Sequence, residues 1–380
     1  MSIFLATFFL VYCGTHLYFY TKARAAFGFG PAVGGALALF LALMAVAPIL
    51  VRVAEREGFE EPARLLAWSG YCWMGFLFLF FSCSLLGDCW HLLLRVGELL
   101  SRGEFTHLRL PPGSAFGIAA AYALLAAAYG YHDALAIRTE RLTIRTPKLP
   151  LGVEKLIIAQ ISDVHVGLIV REERLRRMLA AVRAADPDLL VCTGDLVDGQ
   201  MDNIAPLMDL FAAIRPRYGK FAVSGNHEYY VGLGPALDFT RRAGFRVLRG
   251  EGASVAGVLN VVGVDDPAGK PFGEFRGADE RSLLAALPRD RFTLLLKHRP
   301  RIDPAGLGLF DLQLSGHVHG GQLFPFGLAV RLSYPFMDGL HRLAGGALLF
   351  VSRGTGTWGP PIRFLAPPEV TVFELVRGDV

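Results

Sequence analysis

The stretch DLQLSGHVHGG, residues 311–321, joins a short apolar run to two histidines that stand one residue apart between glycines. Alternate residues of an extended chain point to opposite faces, so His317 and His319 can approach one object only if the backbone turns sharply around them. The flanking glycines permit such a turn. An isolated pair of this kind is more often an ordinary turn, so its meaning depends on the rest of the chain.

The remainder of the chain beyond residue 154 alternates short apolar runs with charged, helical segments. Strands are predicted for EKLIIAQISD, PDLLVCTGD, KFAVSGN, RFTLLLKH and DLQLSG, and helices for REERLRRMLAAVRAA and PALDFTRRAGF. Strands that alternate with helices in this way are typical of a βαβ series. The sequence therefore predicts an α/β domain over 154–380.

Each predicted strand ends in side chains of the types that bind metals. In chain order they are Asp163, His165, Asp195, Asn226, His227, His298, His317 and His319. Ligands bind at the carboxyl ends of the strands in open α/β sheets, so one site can collect all of these residues. Any one of them has a simpler explanation, such as a helix cap or a turn. Their occurrence at five strand ends favours a shared site.

The chemistry of these side chains limits which metals they suit. Carboxylate, amide and imidazole ligands form a mixed oxygen and nitrogen set, which suits Mn, Fe, Zn or Co better than Mg or Ca. Even without His227, the seven remaining ligands are too many for one catalytic ion, which keeps open positions. The set predicts two divalent ions, and a pair about 3.5 to 4 Å apart can activate water and clamp a phosphoryl group.

The first third of the chain is far more apolar, in a sequence whose hydrophobic fraction is 53%. Four runs of about 20 residues are long enough to cross a bilayer, and they cover residues 2–20, 30–51, 65–87 and 113–132. The first run lacks the basic start and the cleavage pattern of a signal peptide, so we expect it to be retained. We predict a four-helix transmembrane region over 1–137, a linker over 138–153 and a catalytic domain over 154–380.

Charge gives the expected orientation and partners. Four crossings place both termini on one side, and the loops of that side carry more Lys and Arg than the opposite loops. This excess predicts a cytoplasmic soluble domain on an integral membrane protein that is in contact with the lipid bilayer. The net charge of +4 is small for 380 residues, and we expect no nucleic-acid partner.

The blocks DVHVG, GDLVDG, GNHE, KH and GHVHGG resemble, in this order, the motifs of the calcineurin-like metallophosphoesterases over about residues 155–322. The later segment SRGTGTWGPPIR is similar to that of a bacterial, membrane-associated branch of the family. The resemblance implies a four-layer α/β/β/α sandwich, preceded here by an all-α transmembrane segment. It also implies one ion on Asp163, His165 and His319, a second ion on Asn226, His298 and His317, and Asp195 as the bridge. His227 then supports the transition state and protonates the leaving group.

Several residues near the predicted ligands allow more than one interpretation of their role. Val318 stands where many family members have a hydroxyl residue, and Lys297 and Arg299 flank His298. These basic flanks either enrich the site for anions or form a solvated edge. Arg353 is a candidate substrate-binding residue because its guanidinium suits phosphate oxygens, and Trp358 is expected to pack rather than to stack on a substrate.

We therefore predict a membrane-anchored, dinuclear metal-dependent phosphoesterase that hydrolyses a phosphodiester or pyrophosphate bond. The resemblance and the apolar helices suggest a lipid-linked substrate such as UDP-diacylglucosamine. One alternative is a broad-specificity phosphodiesterase or phosphatase whose helices are only an anchor. A second alternative is a membrane transporter or sensor with a metal-binding regulatory domain, but the complete ligand set and His227 favour an enzyme.

Overall fold

The computed structural model describes residues 3–101, 103–199 and 204–379. The chain forms two compact units. The first consists of Met1–His132 with Gly359–Phe364, and the second of Asp133–Trp358 with Leu365–Val380. Each unit is described separately.

Four long helices make up most of the first unit. They are α1 (Ile3–Phe27), α2 (Pro31–Arg56), α3 (Glu60–Ser101) and α4 (Pro112–Leu135). Among the described residues, three stretches are long and apolar enough to cross a membrane, and these are Pro31–Arg56, Glu60–Ser101 and Thr106–Leu135. The predicted span 2–20 begins outside the described residues, and as a crossing it stays a prediction, although α1 is helical from Ile3.

Helix α3 has 42 residues and is therefore about 63 Å long, twice the thickness of a hydrocarbon core. The sequence predicts only the apolar part of it, over 65–87. The helix continues through Asp88 because this carboxylate is paired with α1, where it accepts a hydrogen bond from the Tyr18 hydroxyl at 2.6 Å and forms an ion pair with Lys22. Asp88 thus contributes to the contact between α1 and α3.

The segment 359–364 belongs to the helical unit, although it lies late in the sequence. The Arg363 amide donates a hydrogen bond to the Gly130 carbonyl at 2.8 Å, and Arg363 is fully buried at 0% exposure. The Ile362 side chain packs against Gly75, where a Cβ would come within 2.6 Å of it. The two glycines of α3 and α4 therefore let this segment approach the helices closely.

The second unit contains two six-stranded sheets among the described residues. The first sheet consists of β1 (Arg138–Thr146), β2 (Lys155–Ile161), β3 (Leu189–Cys192), β4 (Lys220–Ala222), β5 (Arg246–Val247) and β12 (Glu369–Arg377), in the order β1-β12-β2-β3-β4-β5. The second consists of β6 (Glu251–Val255), β7 (Leu259–Gly263), β8 (Phe292–Leu296), β9 (Leu312–Ser315), β10 (Gly339–Arg342) and β11 (Leu348–Val351), in the order β10-β11-β9-β8-β7-β6.

The helices of this unit are α5 (Glu172–Ala185), α6 (Leu207–Ala212), α7 (Asn226–Val231), α8 (Leu233–Arg242), α9 (Glu280–Ala285) and α10 (Phe326–Val330). The outer face of the first sheet is covered by α5, α6 and α8, and α9 packs on the second sheet. One apolar core lies between the sheets and includes Ile158, Phe221, Leu294 and Phe373. A second core joins the first sheet to α5, α6 and α8. This arrangement is the predicted four-layer α/β/β/α sandwich, and its sheets are mixed rather than parallel throughout.

The sequence predicts a linker over 138–153, whereas the structure has strand β1 at its start. β1 pairs in parallel with β12 along its whole length, from Arg138 opposite Glu369 to Thr146 opposite Arg377. The alternation of RLTIRT is compatible with either state, and the partner strand lies more than 220 residues later. The partner of a strand cannot be read from the local sequence at such a separation, so the alternation did not distinguish a strand from a linker.

Candidate metal centre

The predicted site residues converge where the parallel strands of both sheets end. Asp163 and His165 follow β2, and Asp195 follows β3. Asn226 and His227 are the first residues of α7, just after β4. His298 follows β8, and His317 and His319 follow β9. The carboxyl ends of two facing sheets thus provide the site, where the sequence argument considered one open sheet.

Left-handed backbone conformations explain how alternate residues reach one point. The φ angles are 53° at Asp163, 55° at His165, 51° at Asp195, 74° at His317 and 51° at His319. This region is disfavoured for residues with a Cβ, and such conformations concentrate at functional sites because the surrounding structure must maintain them. The turn that the two histidines of GHVHGG require is therefore formed by the histidines themselves.

Glycines allow the strand-end loops to pack against the site residues. A Cβ on Gly225 would come within 2.1 Å of Asp195 Oδ1, and a Cβ on Gly316 within 2.2 Å of Asp163 Oδ2. Both positions exclude any larger side chain, since real Cβ contacts are never so short. The glycines Gly225 of GNHE and Gly316 of GHVHGG are thus required by space, since neither has a positive φ angle.

One group of ligand atoms consists of Asp163, His165 and His319. The Nε2 atoms of His165 and His319 lie 3.1 Å apart, and Asp163 Oδ1 lies 3.4 Å from His319 Nε2. The backbone amide of His317 donates to the Asp163 carboxylate at 3.0 Å. This bond connects the loop after β9 to the loop after β2.

A second group consists of Asn226, His298 and His317. The Nε2 atom of His298 lies 3.2 Å from Asn226 Oδ1 and 3.2 Å from His317 Nδ1. The Nδ1 atom of His298 lies 2.8 Å from the Thr193 carbonyl. A proton on Nδ1 donates to that carbonyl, so Nε2 presents its lone pair to the site.

Asp195 lies between the two groups. Its Oδ2 atom is 3.2 Å from His298 Nε2 and 3.9 Å from His165 Nε2. Its Oδ1 atom accepts a hydrogen bond from the His227 amide at 2.8 Å. One carboxylate therefore faces both sets of imidazoles.

The spacing of the imidazole nitrogens fits bound metal ions. Two nitrogen ligands at about 2.1 Å from one ion, at right or tetrahedral angles, are about 3.0 to 3.4 Å apart. The two nitrogen pairs of the site, at 3.1 and 3.2 Å, fall in this range. His298 Nε2 lies 3.2 Å from both Asn226 Oδ1 and His317 Nδ1, so a cation placed among these three atoms would meet all of them as ligands.

Burial sets the protonation of the imidazoles that face the site. It lowers the pKa of His165 to about 4, assisted by the nearby His227, and it lowers the pKa of His317 well below the ordinary range. Both rings are therefore neutral at pH 7, which is the form that binds metals. Burial raises the pKa of Asp195, but His298 and His227 outweigh this effect and hold it well below its usual value.

Asp198 is a site residue that the sequence argument missed. Its Oδ1 atom lies 2.6 Å from His227 Nδ1. Burial lowers the pKa of His227, but the carboxylates of Asp195 and Asp198 more than reverse this and raise it to about 9. The second aspartate of GDLVDG was the available signal, since an acidic residue three positions after Asp195 can turn back to the same strand end.

Glu228 was also missed, although it follows His227 directly. Its buried carboxylate accepts hydrogen bonds from the backbone amides of Gly225 at 2.7 Å, Leu196 at 2.8 Å and Asp195 at 3.1 Å. These bonds hold the loops after β3 and β4 together at the first turn of α7. Glu228 therefore positions Asp195 and contacts the site only through it.

The predicted substrate contact Arg353 is engaged with carboxylates. Its guanidinium lies 2.7 Å from Glu140 Oε1 and 2.5 Å from Glu369 Oε2. It thereby joins β1 to the first residue of β12, and a role in substrate binding stays a prediction. The basic flanks of His298 are likewise paired, Lys297 with Glu280 at 2.8 Å and Arg299 with Asp266 at 2.7 Å.

Two aromatic rings lie beside His227. The ring centroids of Tyr230 and Trp358 are 5.5 and 5.9 Å from that of His227. Trp358 is 44% exposed, and its backbone amide and carbonyl are both bonded to the Gln322 side chain, at 3.0 and 2.8 Å. The loop is therefore fixed while much of the indole remains accessible, so Trp358 is not the purely packed residue that the sequence suggests.

Comparison with known proteins gives a consistent result. Residues 156–321 match the sequence pattern of the calcineurin-like phosphoesterase family. The chain is 45% identical over 254 residues to an uncharacterized metallophosphoesterase of Aquifex aeolicus, a match that covers 67% of this chain and 97% of the relative. It is 33% identical over 281 residues to an uncharacterized metallophosphoesterase of Bacillus subtilis, covering 68% and 94%. It is 29% identical over 298 residues to a transmembrane protein with metallophosphoesterase domain of Danio rerio, covering 75% and 68%.

Proposed function

Because this chain belongs to the metallophosphoesterase family and is a metal-dependent phosphoesterase, we propose that it hydrolyses the pyrophosphate or phosphodiester bond of a lipid-linked substrate at a centre of two divalent ions. Asp163, His165 and His319 hold one ion, and Asn226, His298 and His317 hold the other. Mn, Fe, Zn and Co all suit this donor set.

The position of Asp195 is the observation that carries the proposal. Its carboxylate faces His298 Nε2 at 3.2 Å and His165 Nε2 at 3.9 Å, so it can be shared by ligands of both groups. A mononuclear site would not need a carboxylate that lies between two groups of three nitrogen or oxygen ligands. The arrangement therefore supports a bridging role for Asp195.

The ions, when bound, supply Lewis acidity toward the phosphoryl oxygens and lower the pKa of water. The side chains of the protein position the proton that the leaving oxygen receives. Asp198 accepts from His227 Nδ1, which leaves Nε2 as the atom that donates a proton to the leaving oxygen. A pKa of about 9 keeps His227 protonated at neutral pH, as a general acid requires.

The apolar helices are an argument for a substrate that is located in a membrane. The chain contains three helices apolar enough to cross a bilayer among its described residues, and we propose a bacterial inner-membrane protein with its catalytic unit in the cytoplasm. UDP-diacylglucosamine fits this location, because it joins a soluble nucleotide to an acylated sugar through a pyrophosphate. The exposed rings of Tyr230 and Trp358 beside His227 offer surfaces on which a planar group of such a substrate can stack.

The test is release of UMP from UDP-diacylglucosamine by the full chain, purified in detergent with added Mn²⁺. Asp195→Asn is the inactive control, and Asp209→Asn on α6, an exposed carboxylate, is the matched neutral control. UDP-N-acetylglucosamine, which lacks the acyl chains, measures the contribution of the lipid.

We expect UMP from the wild type and Asp209→Asn only, and faster release from the acylated substrate. If a soluble chromogenic diester is hydrolysed while UDP-diacylglucosamine is not, the lipid-linked assignment is wrong and a broad phosphodiesterase with a membrane anchor replaces it. If neither is hydrolysed with any of the four metals, the catalytic role of the centre is contradicted.

A further inference from the structure

A short segment of the second unit exposes large apolar side chains to an unusual degree. Residues 324–332 include the short helix α10 and are here called the apolar loop. In this segment Leu332 is 90% exposed, Leu328 is 60% exposed and Phe324 is 48% exposed. Single exposed apolar residues are common, but several in one short segment mark a surface that binds something apolar. The sequence FPFGLAVRL shows no regular pattern that predicts this exposure.

The apolar loop is held on a folded base. The Cα of Gly327 lies only 2.4 Å from where a Cβ on Gly321 would be, so the two backbones are in direct contact. Immediately after the loop, Tyr334 and Met337 are buried in a cluster with Val318. The side chains of the loop are thus held outward by a packed scaffold, and their exposure is not a sign of a missing core.

The loop also begins close to the metal centre. Gly321 is two residues after His319, and Gln322 fixes the backbone of Trp358. The residues directly after His319 also touch the loop, since the Gly320 carbonyl oxygen and the Gly321 Cα lie close to Gly327. The loop therefore packs on the segment that supplies His319.

The charges near the loop favour a lipid surface. Arg331 and Arg342 are exposed, His341 is partly exposed, and Asp338 is the acidic residue of the stretch 322–346. Phenylalanine and leucine combined with arginine are typical of segments that lie in the interface of a bilayer with anionic lipids. The apolar helices of the same chain would keep such a surface at high effective concentration.

We propose that the apolar loop inserts into the boundary between headgroups and acyl chains of the membrane that holds the helical unit. Phe324, Leu328 and Leu332 enter the apolar layer, and Arg331 remains at the phosphate level. The loop then brings the metal centre to the surface at which a lipid-linked phosphate is found. This inference concerns binding alone and does not depend on which phosphoester is hydrolysed.

The test places an environment-sensitive fluorophore on the loop of the full chain in liposomes. The native cysteines Cys13, Cys72, Cys83 and Cys89 are replaced by alanine, and one cysteine is introduced as Leu332→Cys or, as the matched control, Leu151→Cys. Leu151 is 88% exposed in the same unit. Lipids that carry a nitroxide near the headgroup quench only a label within the bilayer interface.

We expect quenching at position 332 to exceed that at position 151 at least about twofold, as for a side chain buried at the interface. Equal quenching at both positions would overturn the proposal. The label at 332 could also be shielded from water in a way that depends on protein concentration and without quenching by the nitroxide lipids. That result would indicate contact with a second copy of the chain, and it would also overturn the proposal.

A second variant ties the loop to substrate presentation. The double change Leu328→Ser with Leu332→Ser should leave hydrolysis of a soluble chromogenic diester unchanged. Turnover of a phosphoester embedded in liposomes should fall about tenfold, because the effective concentration at the surface is lost. If the double variant hydrolyses both the soluble diester and the embedded phosphoester at the wild-type rate, the membrane role of the loop is contradicted.

Discussion

His227 Nδ1 and Asp198 Oδ1 are 2.6 Å apart, at the edge of a centre formed by seven other polar side chains. The pair joins the loop after β3 to the first turn of α7, and in the proposed mechanism it leaves His227 Nε2 to face the substrate. Two residues that are 29 positions apart in sequence thus form one hydrogen-bonded pair.

Asp198→Asn tests this pair. The amide cannot supply the charge that raises the His227 pKa, so a smaller fraction of His227 is protonated at neutral pH. We expect kcat to fall by about 100-fold, within the range for loss of a general acid. Asp209→Asn should leave kcat unchanged.

The same variant has a signature in the pH profile. An acid with a raised pKa is active below that pKa, so wild-type activity should decline as the pH rises through about 9. In Asp198→Asn this decline should occur at lower pH. A profile that keeps its alkaline limb, with lower rates throughout, would assign Asp198 a structural role only.

Gly225→Ala tests the space around Asp195. The new Cβ would lie 2.1 Å from Asp195 Oδ1, so the carboxylate must move and the two groups of ligands lose their shared residue. We expect metal content and kcat/KM both to fall, the latter by at least about 100-fold if geometry governs catalysis. Gly234→Ala in α8, where no atom of the described residues lies within 4 Å of the new Cβ, is the matched control and should match the wild type.

Gly130→Ala tests the attachment of residues 359–364 to the helical unit. The Cβ would come within 2.9 Å of the Arg363 carbonyl oxygen, which as backbone cannot easily move. Overpacking of this kind costs about 1 to 3 kcal/mol, so thermal unfolding of the full chain in detergent should begin at a lower temperature. Gly117→Ala, in the same helix and without a neighbour within 4 Å among the described residues, should not lower it.

Lys220 gives a prediction for stability against pH. Its buried ammonium donates to the carbonyls of Phe211 at 2.7 Å and Ala243 at 2.6 Å, and burial lowers its pKa to about 8. The unfolded chain then holds more protons than the folded chain between about pH 8 and the ordinary lysine value, so stability rises with pH in this window. The wild type should gain stability relative to Lys220→Met from pH 8 to 10, and parallel curves would contradict the lowered pKa.

The sequence was sufficient for those parts of the structure that local pattern determines. The alternation of apolar runs and amphipathic helices led to β2, β3, β8 and β9, and the polar residues at their ends led to the metal centre. Asp198 and Glu228 were missed because they contact other site residues rather than the predicted ions. The spacing of Asp198 from Asp195 was a usable signal, whereas Glu228 resembles an ordinary capping residue.

Long-range pairings were the other gap. The strand β1 forms by pairing with β12, and the ion pairs of Arg353 with Glu140 and Glu369 were not predicted either. Both depend on contacts between residues distant in sequence. The length of α3 could not be read from hydropathy either, since its polar half is supported by the ion pair of Asp88 with Lys22.

The most direct test of a dinuclear centre is a metal titration of the full chain after removal of bound ions by a chelator. Mn²⁺ is added stepwise while bound metal and hydrolysis of bis(p-nitrophenyl) phosphate are followed together. We expect activity to appear with metal and to level off at two ions per chain. The variant Asp195→Asn should bind fewer ions and stay inactive. Full activity at one ion per chain, or hydrolysis by the metal-free protein, would contradict a dinuclear centre on these seven side chains.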